Sequence, residues 1–290
     1  MTGPSWNPLA DLQQMWALPF MVNAFRAGTI LAILAGLVGF LMVTRRQAFA
    51  GHTLSTVGFP GAAGATWLGM SAGYGYFAFC LVAALVIATV PSSARLGFTG
   101  ESALVGIVQT FALACGYLFV VLYKGVLGGT TALLFGSFLG VTTGQVRALA
   151  ILAIALLAVL GVVGRPLLFA SVDPEAAKAS GVPVRVLDVA FLLLLAATAA
   201  GVVQITGALM VFTLLVLPAA SARELTARPS RAMALSVVLA LFVTWAALAV
   251  AFYSPYPIGF WLSSLSFAVF LAARGVRAAR ERGNAAVTVV

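Results

Sequence analysis

Arg45 and Arg46 close an apolar run, Ala27 to Thr44, that contains no charged side chain. As a helix rising 1.5 Å per residue the run is about 27 Å long, close to the thickness of a bilayer's hydrocarbon core. The same pattern recurs to the C-terminus: apolar runs, then short loops in which Arg collects. Backbone groups in lipid have no water to bond, so such runs must be helices or strands of a closed barrel. Barrel strands alternate apolar and polar at every second position, and these runs do not. The fold class expected is therefore all-α, a polytopic membrane protein.

Composition agrees. The chain is 62% hydrophobic and 8% charged, with a mean hydropathy of +1.11, outside the range of soluble domains. A net charge of +9 would point to nucleic acid in a soluble protein. Here it reads as Arg at helix ends facing an anionic cytoplasmic leaflet, and no nucleic-acid partner is expected. Cys80 and Cys115 both fall in apolar runs and read as packing residues.

Spans are expected at about 27–44, 51–70, 74–90, 102–123, 146–164, 187–203, a short one at 205–219, 232–252 and 257–273. That gives eight to nine transmembrane helices, the short one a half-helix or re-entrant. Residues 1–20, with Trp6, Leu9, Leu12, Met15, Trp16 and Leu18, read as an interfacial amphipathic segment. The permease-like membrane domain would run from 21 to 275, and a basic cytoplasmic tail from 276 to 290. The Gly- and Thr-rich stretch 125–143, centred on Leu133–Ser137, reads as a broken segment packed against protein.

Charge sets the orientation. With the N-terminus outside and the C-terminus inside, the inner loops hold Arg45, Arg46, Arg95, Arg165, Lys178, Arg185, Arg223, Arg228, Arg231 and the Arg274–Arg282 cluster. Only Arg26, Lys124 and Arg147 remain outside. The positive-inside rule favours that arrangement.

The longest inner loop carries helix punctuation. Asp173 suits an N-cap, Pro174 the first helical position and Glu175 the first turn, while Gly181 and Pro183 stop the helix. A two-turn helix over Asp173–Ser180 is expected. Punctuation alone fits either an ordinary loop helix or a docking helix for a soluble partner.

That loop, Phe169 to Pro183, resembles the coupling segment of the permeases of metal-importing ATP-binding-cassette transporters, the zinc and manganese class. Three further segments agree in the family's order: Arg45-Arg46 leading to Gly51–Thr56 and Pro60-Gly61-Ala62, then Leu133–Ser137, then Gln204–Leu209 running into Leu217–Ala222. The resemblance covers roughly residues 20 to 275. It implies a type II importer-like permease in a bacterial inner membrane, pairing with a second permease copy around a central pathway. Zinc or manganese would be cargo, with no cofactor bound. An ABC ATPase would dock on the coupling helix at 173–181, through Asp173, Pro174, Glu175, Ala176, Lys178 and Gly181. An extracytoplasmic metal-binding protein would deliver the ion. The residues themselves agree that hydrolysis lies elsewhere: Lys124 follows Tyr123 and Lys178 follows Ala177, so no Walker loop exists and the chain is not expected to be an enzyme.

One departure stands out. The resembling family opens its second span with Gly-Asp-Ala, Leu or Ile, then Ser-His, which places Asp and His one turn apart on one face. This chain has His52 and Thr56 at those positions, and His52 is its only histidine. An ionisable group in a span marks a functional site by default; the plainer alternative is an interfacial His bonded to a backbone carbonyl. A neutral imidazole and a hydroxyl would touch a passing divalent ion, weakly without a carboxylate. Such a contact would fade as pH falls through about 6.5, the ordinary imidazole value.

Other polar groups are few. Glu101 and Asp188 begin spans and suit the helix dipole. Gln109 and Gln204 lie deeper, fit to line a pathway or to bond between helices. Met210 reads as core, and Pro60 and Pro218 as helix interruptions. Gly36 and Gly39, Gly61 and Gly64, and Gly73 and Gly75 permit close helix approach. Two rival transport classes stay open. A siderophore or cobalamin-type importer, or a same-fold permease with non-metal cargo, shares the coupling logic. A secondary transporter would need a mid-membrane relay, for which His52 is the one candidate.

Overall fold

The computed structural model describes residues 13–89, 100–123 and 140–287. Trp6, Leu9, Leu12, Arg95, Lys124 and Leu133–Ser137 lie outside these residues, so the broken segment expected around 125–143 falls largely outside them too. Among the described residues the secondary structure is entirely helical. The helices are α1 Pro19–Thr44, α2 Ala48–Trp67, α3 Ala72–Ala88, α4 Gly100–Leu122, α5 Thr143–Val172, α6 Pro174–Ala179, α7 Val184–Thr206, α8 Ala208–Leu225, α9 Pro229–Tyr253 and α10 Ile258–Val287.

Six of them are long and apolar enough to cross a membrane: α1, α5, α7 and α9 whole, α4 over 103–122 and α10 over 258–282. The apolar helix α3 is shorter. Several helices outrun their expected C-terminal ends, α5 and α10 the furthest, and the short span expected at 205–219 is the helix Ala208–Leu225. α5 passes through Pro166 to Val172; the proline withholds one N–H, and Leu167 and Ala170 beyond it are buried and hold the turn in place. α10 continues through the Arg cluster, supported by Arg277 Nε donating to Glu281 at 2.8 Å, an i,i+4 pair. Pro60 and Pro218, expected to interrupt their helices, also lie inside unbroken ones.

The chain divides into two compact units, 1–43 with 213–290, and 44–212. In the first, small residues bring backbones together. A Cβ on Gly39 would lie 2.0 Å from the Leu215 carbonyl oxygen, and one on Gly36 2.7 Å from the Val237 Cα. Ser236 donates to the Gly36 carbonyl at 2.8 Å, and the Trp245 indole to Thr29 Oγ1 at 3.0 Å. Trp16 stacks on Phe25, which meets Trp245 edge-on. At the other end Arg223 donates to the Val43 carbonyl, Arg277 to Glu224 and Arg280 to the Leu225 carbonyl.

In the second unit α2 is the centre, packed by α3, α4 and α7. A Cβ on Gly61 would sit 2.1 Å from the Gly75 carbonyl oxygen, and Gly116 packs against Pro60. The buried Cys80 thiol donates to the Leu54 carbonyl at 3.2 Å. Thr53 Oγ1 donates to Gln109 Oε1 at 3.0 Å, so Gln109 bonds between helices. Lipid tails are as apolar as Leu, so close backbone contact and such hydrogen bonds hold membrane helices together.

Candidate functional site

The loop 173–181 forms the helix its punctuation calls for. Asp173 Oδ1 accepts from the Ala176 N–H at 2.9 Å, Pro174 takes the first position, and Glu175 and Lys178 occupy the first and last turns. Gly181, at φ +78°, reverses the chain, and the Val182 N–H reaches back to the Ala177 carbonyl at 3.0 Å. Positive φ is cheap only for Gly. Ala177 is fully buried. Asp173, Pro174, Glu175, Lys178 and Gly181 are exposed and Ala176 is half-buried, so α6 (Pro174–Ala179) presents its charged face outward on an apolar foot.

Beneath that helix is a buried charge cluster, only part of which was expected. Asp188, expected to begin its span, lies instead in the second turn of α7, which has no acid in its first turn, and pairs with Arg45, the side chains being 6% and 8% exposed. Arg45 Nη1 also donates to Ser171 Oγ at 3.0 Å, and the guanidinium lies 5.0 Å from the ring centre of Phe191. Arg46 next to it takes φ +58° and is exposed; this reversal turns one Arg into the protein and the other out. The sequence carries part of the signal, since Asp188 lies three residues after Arg185, one of the residues that the charge count places on the same side as Arg45.

His52 stands in the second turn of α2. It is half-buried, its ring meets Phe212 edge-on with centroids 5.0 Å apart, and its buried Nδ1 has no hydrogen-bond partner among the described residues. Thr56 lies one turn on, its hydroxyl donating to the His52 and Thr53 carbonyls at 3.2 and 3.0 Å. The oxygen lone pairs keep acceptor capacity. Gln204 is elsewhere. Its Oε1 would lie 3.2 Å from a Cβ on Gly73, and α3 runs antiparallel to α2 with Gly75 against Gly61. Gln204 therefore sits about 15 Å further along α2 than His52. The structure brings His52 and Thr56 to one face and does not bring Gln204 to them. Among the described residues no three of His, Cys, Asp and Glu converge as a metal site.

A profile of the ABC 3 transport family matches residues 17–276. The chain belongs to the ABC 3 transport family. It is thus a multi-pass membrane transport protein. It is similar to the manganese transport system membrane protein MntC of Halalkalibacterium halodurans, 27% identical over 215 residues, 74% of this chain and 73% of that one. It is also similar to the high-affinity zinc uptake system membrane protein ZnuB of Haemophilus influenzae, 26% identical over 218 residues, 75% of this chain and 82% of that one. Among solved structures, PsaBC from Streptococcus pneumoniae in complex with Fab shares the fold, with a TM-score of 0.80 at 23% identity, covering 91% of this chain and 94% of that chain.

Proposed function

We propose that this ABC 3 family member is the permease subunit of an ATP-driven importer for a divalent metal ion, manganese or zinc, in a bacterial inner membrane. The observation that carries the reading is the family match over residues 17–276, with relatives whose names specify manganese and zinc transport. Two copies would surround a pathway, each crossing the membrane eight or nine times with the N-terminus outside. A separate ABC ATPase would dock on α6, whose exposed Asp173, Pro174, Glu175 and Lys178, with Ala176 and Gly181, offer a capped projecting helix. An extracytoplasmic protein would deliver the ion. The Arg223, Arg277 and Arg280 cluster belongs on the cytoplasmic side, where positive charge is favoured.

His52 and Thr56 would face the pathway, the half-buried imidazole touching a passing cation through a ring nitrogen and the Thr56 oxygen lying one turn further along the same face. A single imidazole without carboxylate charge gives a weak contact, which suits a site that cargo must leave. Gln204 would line the pathway at a separate level. The test is uptake of radioactive manganese(II) and zinc(II) by cells lacking their own importers and expressing this chain with its ATPase and binding protein. ATP-dependent accumulation of either ion is expected, abolished by a Walker-lysine variant of the ATPase. Accumulation of neither, with all three proteins present and the ATPase bound, would refute a metal cargo.

A further inference from the structure

The segment 172–183 leaves the membrane helices at the end of α5 and returns at the start of α7 (Val184–Thr206), with α6 at its tip. Its two feet are Ser171, two residues before the Asp173 cap, and Asp188, in the second turn of α7. One guanidinium holds both. Arg45 bonds Ser171 Oγ through Nη1 and Asp188 through Nη2, and lies over the fully buried Phe191. We infer that Arg45 is a positioning residue that clamps both feet of α6 to the turn before α2 (Ala48–Trp67), so that a displacement of α6 reaches the base of the α2 helix.

The argument is mechanical. Six residues of helix are too few to be rigid alone, and α6 is flanked by two places where the backbone turns sharply, Asp173 at φ −139° and ψ 88° and Gly181 at φ +78°. Ala177 is its one fully buried side chain. Without a brace at the feet, force on α6 would be spent bending those hinges. The planar guanidinium has five N–H donors in a fixed fork, so it can grip a hydroxyl and a carboxylate in different directions while stacking on a ring. A Lys ammonium keeps the charge but cannot span all three. The Ser171 hydroxyl donates in turn to the Leu167 carbonyl, so the grip continues into α5.

This inference rests on the importer reading for its functional consequence, and the test separates the two. Removing Arg45 outright risks misfolding, so the informative variants are Ser171→Ala and Arg45→Lys, which keep a positive charge near Asp188. In the full chain in nanodiscs, hydrogen exchange of residues 173–181 should quicken severalfold in both variants with little change in thermal midpoint. In proteoliposomes with the ATPase and binding protein, manganese(II) carried per ATP hydrolysed should fall severalfold while ATPase binding and hydrolysis persist. Unchanged exchange in both variants would overturn the clamp. So would a parallel loss of ATPase binding, hydrolysis and thermal stability, the signature of a merely structural pair. If the unaltered complex carries neither manganese(II) nor zinc(II), the cargo reading fails and the exchange arm still decides the clamp.

Discussion

Arg45 lies in the turn before α2 and His52 in the second turn of that helix, and their environments predict opposite responses to substitution. Arg45 shares its charge with Asp188, both side chains nearly excluded from solvent. Deleting one partner of a buried pair leaves the other charged and desolvated, so Arg45→Ala should cost about 3–5 kcal/mol, whereas replacing both by apolar residues often costs little. Thermal midpoints in nanodiscs should therefore order wild type and Arg45→Met/Asp188→Leu together, well above Arg45→Ala. A double variant no more stable than the single one would argue that the pair is not what holds the site. Among the described residues the His52 side chain meets Phe212 edge-on, a contact worth about 0.5–1.5 kcal/mol for an aromatic pair. If it contacts the cargo, His52→Ala should insert and bind ATPase normally yet import less manganese(II), and Thr56→Val less severely, since that hydroxyl is already donated to its own helix. Near-wild-type uptake by His52→Ala would return the residue to a packing role. The lone histidine was visible as a candidate in the sequence. Its edge-on contact with Phe212 is not, because Phe212 lies far along the chain and no local pattern encodes such a pairing.

Elements were legible in the sequence wherever a local rule decided them. The Asp173 cap, the Pro174 first position and the Gly181 reversal are short-range chemistry, and α6 formed as the residues require. The small-residue pairs also behaved as read, Gly61 meeting Gly75 and Gly39 meeting the Leu215 backbone. Pro60 and Pro218, expected as interruptions, and Pro166 all lie inside helices, because burial of neighbours such as Leu167 outweighs one missing N–H, and burial is a tertiary fact. The contact between α2 and α3 (Ala72–Ala88) yields a prediction at this scale. Gly61→Ala would place a Cβ 2.1 Å from the Gly75 carbonyl oxygen, while Gly106→Ala meets nothing within 4 Å. The first should lower the thermal midpoint of the protein, forcing the two backbones apart. The second should be neutral or stabilise α4 (Gly100–Leu122) by up to about 1 kcal/mol through helix propensity. Equal midpoints for the two variants would mean that the close approach contributes nothing. At α6, Asp173→Ala removes a cap worth about 1 kcal/mol. Bulky or charge-reversed residues at Glu175 and Ala176 should weaken ATPase binding measured by co-purification, without affecting insertion.

For the whole molecule, the expected orientation is a question of where charge can sit, and it rests on loop charge rather than on any contact. Hydropathy finds the apolar helices whose composition is unambiguous, but α2, rich in Gly, Ala and Thr and carrying His52, is not among the six that length and composition alone mark as spans. Its neighbours bury it: most of its residues from Ala50 to Ala65 are inaccessible. A helix shielded by protein can be polar where a lipid-facing one cannot, which explains why a count of apolar runs and a count of crossings need not agree. The charge bias predicts the outcome independently of that count. If α1 (Pro19–Thr44) enters from outside, the 68–71 turn after α2 is extracytoplasmic and the Arg-rich end of α10 (Ile258–Val287) is cytoplasmic. Met70 and Ala278 are both exposed, which makes them suitable reporters. In a Cys80→Ala, Cys115→Ser background, Met70→Cys should react with an impermeant maleimide in intact cells, and Ala278→Cys only after permeabilisation. The reverse pattern would invert the orientation and place α6 on the wrong side for an ATPase. Reaction of both from outside would give the stretch between them an even number of crossings and break the topology at a single span.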